Sequence, residues 1–144
     1  MNRNEIDLEV FEKNYQSAKM YHRRAEQFLD EGQSSSVVFN VASVALENYL
    51  IALCELYGEE AGNHNYTCLM DVVEAIIDVP AALNKEIRSL DLIFGICSIE
   101  NYYHGNPEQA DMDRVLYMCN EVQHLFDQTK IATVRAACKN TQQE

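Results

Sequence analysis

The sequence predicts an all-α fold, an antiparallel helical bundle of about five helices. Apolar residues recur at steps of three and four along most of the chain, which places them on one face of each helix. Two prolines and five glycines among 144 residues are few for a fold with many turns. No segment alternates strictly between apolar and polar residues, as strands commonly do, and no internal repeat is present.

The first helix is predicted over residues 5–31. Gly32 follows it, and glycine commonly ends a helix because it adopts the left-handed conformation at little cost. His22 lies on the apolar stripe, where we expect a hydrogen-bonded residue at the edge of the core rather than a ligand. The stripe consists of Phe11, Tyr15, Ala18, His22, Ala25 and Leu29, with Phe28 beside the last of these.

The second helix is predicted over residues 35–57, with the preceding serines as N-cap candidates. Its apolar stripe is wide and rich in alanine, so other helices can approach closely, and we expect this helix to be the most buried. Glu47 interrupts the stripe. It lies either at the margin with its carboxylate in solvent or inside with a partner, because an unpaired buried carboxylate is costly.

A shorter third helix is predicted to begin after Asn65 or Thr67 and to end before Pro80, since the residue preceding a proline disfavours the helical conformation. Pro80 suits the first turn of the fourth helix. That helix, within residues 83–107, has a stripe that is apolar through Cys97 and then becomes polar on the same face. The stripe consists of Leu83, Ile87, Leu90, Phe94, Cys97, Asn101 and His104.

The end of the fourth helix is the predicted functional site. Asn101 and His104 share the face of the buried residues before them, so we expect them at the end of the core or in a cleft. Tyr102 and Tyr103 lie between them in the sequence and complete the candidate ligand-binding set together with Glu47.

A last helix is predicted with Asp111 as its N-cap, and the C-terminal KNTQQE is expected to be frayed.

The length of the chain corresponds to a single domain over residues 1–144. We expect its core within residues 6–130 and a partly frayed tail over residues 131–144.

The charge distribution argues against a nucleic-acid partner. The net charge is −12, and the span between Arg24 and Lys85 holds ten carboxylates and no lysine or arginine. Affinity for nucleic acid comes largely from cations that neutralise phosphates. DNA is therefore excluded as an expected partner, RNA is disfavoured, and the acidic surface is expected to be solvated.

The segments and motifs that the sequence lacks limit the expected location and chemistry of the protein. No apolar run approaches the ~20 residues of a membrane helix, and the first residues lack the apolar core of a signal peptide, so the expected location is the cytoplasm. The five cysteines form no CxxC pair and are expected to be mainly buried thiols. No phosphate loop, HExxH or GxSxG is present, and we expect neither a metal nor a cofactor.

Two segments resemble the HEPN domain family: VASVALENYLIALCELYG in the second helix and SIENYYHGN at the end of the fourth. The order of helices over residues 9–130 is also similar. The resemblance implies a small helical bundle of the kind found in bacterial toxin–antitoxin, defence and nucleotidyltransferase-associated proteins. HEPN domains generally form dimers, and many active members are metal-independent RNases.

The resemblance places the RNase site at the end of the fourth helix, where an arginine, a polar residue and a histidine meet their copies across the dimer. His104 matches the histidine. The arginine should fall within residues 97–99, which are Cys97, Ser98 and Ile99, and Ile51 stands where many members carry a lysine. Removing one electrostatic group from such a site typically costs ~100- to 1000-fold in rate.

These observations favour a non-catalytic, dimeric, HEPN-like binding module. Its partner would be a protein such as a nucleotidyltransferase, or a small ligand held near Asn101, Tyr103 and His104. One alternative is a weak metal-independent RNase that uses His104 across the dimer interface. Another is an unrelated helical protein in which His104 only stabilises the end of the helix through its dipole.

Overall fold

The computed structural model describes residues 6–61, 65–94 and 107–143. Within these ranges the chain forms six α-helices and no strand, which confirms the all-α prediction. The helices are α1 (Leu8–Asp30), α2 (Ser35–Leu56), α3 (Tyr66–Ile76), α4 (Ala81–Phe94), α5 (Gln109–Gln123) and α6 (Gln128–Gln143).

The central element is α2, which packs against α1, α3 and α5, while α4 contacts α3 and α5 and α6 contacts α1. Residues 49–54 of α2 are all buried. The alanine side chains at 42, 45 and 52 are fully buried and allow the neighbouring helices to approach closely. The prediction that this helix is the most buried one is confirmed for the described residues.

By length and composition alone, α2 is also apolar enough to cross a membrane. In the structure this helix is mostly buried inside the bundle, and the core helix of a bundle has the same length and composition. The expectation that the chain has no membrane-spanning helix therefore stays a prediction. Polar side chains at Asn40 and Asn48 interrupt the apolar run without lowering its mean hydropathy far.

The first helix is capped by Asp7, whose carboxylate accepts a backbone hydrogen bond from the first turn at 3.2 Å. The predicted stripe is buried as far as Ala25, but Leu29 is 40% exposed and Phe28 packs against the core instead. The stripe therefore advances by three residues, not four, in the last turn. Gly32 follows with a φ of 78°, as expected for a helix stop.

The third and fourth helices begin close to where the sequence predicts. Asn65 caps α3, since its side-chain oxygen accepts the Cys68 backbone N–H at 2.7 Å. Pro80 lies immediately before α4, and its carbonyl accepts the Asn84 backbone N–H at 3.0 Å. Leu83, Ile87 and Leu90 are buried and confirm this part of the predicted seam. The remainder of the predicted fourth helix, residues 95–106, lies outside the described residues.

The C-terminal prediction of one helix is wrong in two respects. The N-cap of α5 is Glu108, and Asp111 is the third helical residue, whose carboxylate accepts the Glu108 backbone N–H at 2.9 Å in a capping box. The chain then turns after Gln123, and Asp127 accepts two backbone N–H groups that start α6, at 2.9 and 3.1 Å.

The C-terminal segment expected to be a partly frayed tail is helical in the structure. Ile131, at 1% exposure, belongs to the core. Arg135 of α6 reaches back to Glu12 of α1, with the shortest nitrogen–oxygen distance at 2.7 Å. The core therefore extends beyond residue 130, because α6 packs an apolar residue and an ion pair against the rest of the bundle.

Candidate functional site

The site predicted from the sequence lies mostly outside the described residues. This holds for Asn101, Tyr102, Tyr103 and His104, so their mutual geometry remains a prediction. Within the described residues, the member of the predicted set is Glu47. Its side chain is half-buried on α2, the position that the margin interpretation favours.

Glu47 acts electrostatically on a buried tyrosine of the neighbouring helix. The pKa of the Tyr66 phenol is raised above its ordinary value, mainly by burial and then by the negative charge of Glu47. The Tyr66 hydroxyl donates to the backbone carbonyl of Ser43 at 2.9 Å. This arrangement keeps Tyr66 neutral and holds α3 against α2.

A different pocket is present where α1, α2 and α5 meet, with a volume of about 210 Å³. One helix, α1, supplies four polar residues at helical spacing, and α2 and α5 supply the rest. The lining residues are Lys19, His22, Arg23, Glu26, Tyr49, Asn120 and Gln123.

His22 lines this pocket and is buried, at 5% exposure. Its Nδ1 lies 2.9 Å from the hydroxyl oxygen of Tyr49, and the two rings meet edge to face at 86° with centroids 5.7 Å apart. The other ring nitrogen, Nε2, is buried and has no hydrogen-bond partner among the described residues. A buried polar group without a partner is uncommon and calls for an explanation.

The environment favours the neutral form of His22. Burial lowers the pKa of the imidazole below its ordinary value of 6.5, and the nearby Glu26 carboxylate opposes this in part. Burial also raises the pKa of the Tyr49 phenol, so both partners of the hydrogen bond are uncharged at neutral pH. The pair therefore offers hydrogen bonding without a buried charge.

The sequence prediction for His22 as a hydrogen-bonded residue at the edge of the core is confirmed. Its neighbours Arg23 and Arg24 are both exposed, and Arg23 also lines this pocket, whereas Arg24 does not. Adjacent residues on a helix, such as His22 and Arg23, point about 100° apart. A pocket between three helices is nevertheless wide enough for both side chains to line it. The signal in the sequence was the polar spacing Lys19, His22, Arg23 and Glu26, at i, i+3, i+4 and i+7.

Three other arginines are engaged with carboxylates. Arg88 pairs with Asp71 at 2.8 Å and with Glu74 at 3.3 Å, joining α3 to α4. Arg114 of α5 pairs with Glu86 of α4 at 3.8 Å. Arg135 pairs with Glu12, as described above. Within the described part of the chain, Arg23 and Arg24 form no such ion pair.

A buried carboxylate anchors the helix that leads to the predicted site. Asp91 of α4 is 2% exposed, and its two oxygens accept the backbone N–H groups of Tyr66 and Thr67 at 2.9 and 2.8 Å. These are N-terminal amides of α3, which have no partner within their own helix. Asp91 therefore has a structural role, fixing α4 against the start of α3.

The described cysteines divide by burial. Cys54 and Cys119 are buried free thiols, as predicted, whereas Cys68 and Cys138 are half-buried. Burial raises the pKa of Cys54 to about 12, and it also raises the pKa of Cys119, whose sulfur lies 3.2 Å from the carbonyl oxygen of Ala42. Such thiols are unreactive as nucleophiles. In the described ranges no three His, Cys, Asp or Glu side chains converge as metal ligands.

Comparison of the chain with protein-family models, with curated proteins and with solved structures finds no match. The candidate site must therefore be interpreted from its own geometry.

Proposed function

We propose that this chain is a non-catalytic, HEPN-like module that acts by binding, as a homodimer. Its partner would be a protein such as a nucleotidyltransferase, or a small ligand at the end of the fourth helix. The non-catalytic part of the proposal is supported by the ion pairs that three arginines form. Arg88, Arg114 and Arg135 each pair with a carboxylate of a neighbouring helix.

Paired arginines contribute little to phosphate binding, because an RNA phosphate would have to displace a carboxylate already in place. Arg88 is the nearest arginine that precedes His104 in the sequence, and both of its ion pairs hold α3 against α4. The net charge of −12 also repels a polyanion. Metal-independent RNA cleavage needs positive charge at the reacting phosphate, and Arg88, Arg114 and Arg135 are already engaged with carboxylates.

The homodimer part of the proposal is supported by the outer face of α2. Val37 and Val44 are 39% and 44% exposed, and the half-buried Val41 lies between them on the same face. No charged residue occurs between Gly32 and Leu46. In a chain with a net charge of −12, such an uncharged apolar stripe is a surface on which two copies can meet without repulsion.

The dimer is tested by measuring molar mass with light scattering on the wild type and on Val44→Lys. We expect a wild-type dimer whose dissociation constant rises about 10- to 100-fold in the variant, since each interface would bury two added charges. Val10→Lys is a matched control, because Val10 is a valine of α1 with 37% exposure. A monomeric wild type overturns the dimer, and a Val44→Lys variant that dimerises like Val10→Lys overturns the proposed surface.

The non-catalytic assignment is tested with purified wild type, His104→Ala and His124→Ala on single-stranded RNA. His124 serves as the control because it is an exposed histidine at the end of α5. We expect no cleavage by any of the three. Cleavage that is lost in His104→Ala and retained in His124→Ala would overturn the proposal in favour of an RNase that uses His104.

A further inference from the structure

The outer face of α2 carries uncharged residues at the spacing of a helix–helix seam. They recur at steps of four, three, four and three residues, which keeps them on one side of a helix that packs lengthwise against another. The seam consists of Val37, Val41, Val44, Asn48 and Ile51. Its middle member, Val44, is the most exposed at 44%, and the opposite face of α2 is buried in the core. The seam is therefore accessible to a helix of another molecule.

The chemistry of the seam fits a second copy of this chain. A charged partner surface would lose its hydration against the valine side chains, whereas a second α2 presents the same apolar residues. A symmetric pair of helices is self-complementary, because each copy contributes the same face. This inference rests on the homodimer proposed above and goes beyond it by specifying how the two helices meet.

The C-terminal end of α2 is acidic, which bears on the orientation of the pair. The pKa of the Glu55 carboxyl is raised, mainly by burial and then by the negative charges of Asp7 and Glu60. Lys130, whose ammonium lies 4.8 Å from the centroid of the Tyr57 ring, offsets only part of this charge. A parallel pair would bring the acidic ends of both copies together, and like charges would repel each other there.

An antiparallel pair separates the two acidic ends by roughly the length of the helix, about 33 Å for 22 residues. Each acidic end then lies beside the N-terminal end of the partner's α2. Asp30 and Glu31 precede that end, but residues 32–36 carry no charge, and the helix dipole there is positive. The electrostatic energy therefore favours the antiparallel pair.

The asparagines of this face indicate the register. Asn40 is exposed, and the Asn48 side chain donates one amide hydrogen to the Val44 carbonyl at 2.8 Å, which leaves its oxygen as an acceptor. In an antiparallel pair with the two-fold axis at Val44, positions 40 and 48 lie equally far from the axis. Asn48 then lies opposite the partner's Asn40, so two symmetric amide contacts flank the central valines. A polar residue in such a seam selects the register that satisfies it.

We propose that α2 pairs with the α2 of a second copy in antiparallel orientation, with the two-fold axis at Val44 and Asn48 facing the partner's Asn40. The two copies of position 44 then meet at the axis. Val37 lies seven residues away, so its two copies stand about 21 Å apart along the helices.

Disulfide cross-linking of the full chain measures this geometry, because two cysteine Cα atoms must approach within about 7 Å to form the bond. After mild oxidation, Val44→Cys should give a cross-linked dimer on a non-reducing denaturing gel. Val37→Cys is the matched control, since it changes the same residue type on the same helix at similar exposure, and it should remain a monomer on the gel. The wild type controls for cross-links through the half-buried Cys68 and Cys138.

The register is tested by mixing two variants. In Asn40→Cys alone or Asn48→Cys alone, the two copies of the new cysteine stand about 12 Å apart along the helices, so neither variant should cross-link with itself. A mixture of the two, with a mass tag on one of them, should give the cross-linked heterodimer after subunit exchange. Cross-linking of either variant with itself, in preference to the mixture, would overturn the register.

Two further results concern the orientation and the surface. If Val37→Cys cross-links as fast as Val44→Cys, the helices pair in parallel and the antiparallel orientation is wrong. If Val44→Cys does not cross-link although light scattering shows it to be a dimer, the axis does not pass at Val44. In both cases the homodimer itself stands, whereas a monomeric wild type overturns the homodimer and this inference with it.

Discussion

Replacing Asp91 by asparagine should destabilise the bundle substantially. The two carboxylate oxygens of Asp91 accept the backbone N–H groups of Tyr66 and Thr67 at 2.9 and 2.8 Å, and the side chain is 2% exposed. Asparagine keeps the shape but has a single acceptor oxygen. One of the two backbone donors would then face an amide NH₂ group, and the favourable charge at the start of α3 would be lost.

The expected loss in the free energy of unfolding follows from the number of hydrogen bonds removed. A hydrogen bond to a charged group contributes about 1.5–3 kcal/mol, so the loss of one gives a decrease of about 2 kcal/mol in the free energy of unfolding. Asp91→Ala removes both bonds and should cost about 3–5 kcal/mol. Since a domain is stable by only about 5–15 kcal/mol, the alanine variant approaches the limit of folding.

Urea unfolding followed by circular dichroism measures this effect. With an m-value of about 1.5 kcal/mol/M, a loss of about 2 kcal/mol lowers the midpoint by roughly 1.3 M. The control is Asp71→Asn, because that carboxylate is 62% exposed and pairs with Arg88 at the surface. Its cost should stay below about 1 kcal/mol. Equal midpoints for the two asparagine variants would refute the reasoning.

Two further predictions concern buried titratable groups. Because burial lowers the pKa of His22 from 6.5, the unfolded chain binds this proton more readily, and the free energy of unfolding should fall as the pH decreases through 6.5. Wild type should therefore lose stability relative to His22→Gln on acidification, and a difference independent of pH would contradict the assignment. Iodoacetamide should label the half-buried Cys68 and Cys138 before the buried Cys54 and Cys119, as mass spectrometry of the native protein can show. Labelling of the buried pair first would refute this order.

The helices and most of their buried faces could be predicted, because apolar spacing and caps are local properties of the sequence. The stripe from Phe11 to Ala25 is buried as expected, and Asn65 caps α3. The division between α5 and α6 was missed although Asp127 is a good cap, since apolar residues continue across the turn and imitate one longer helix. Local patterns do not show whether a chain turns between two helical segments that both suit the core.

The candidate pocket could be predicted only in part. His22 was recognised as a hydrogen-bonded residue of the core edge, but its partner Tyr49 is 27 residues away in the sequence. Arg23 is exposed and also lines this pocket, which the sequence alone does not show. Whether two neighbours on one helix share a pocket depends on how far the facing helices stand apart.

The sequence by itself determined the fold class, most of the buried faces of α1 to α4 and the acidic balance of charge. The tertiary structure decided which polar groups meet: His22 with Tyr49, and Asp91 with the start of α3. The physical reason is that helical periodicity depends on neighbours three and four residues apart. The rotation and register between helices depend instead on the packing of many side chains at once, and that packing brings His22 Nδ1 within 2.9 Å of the Tyr49 hydroxyl.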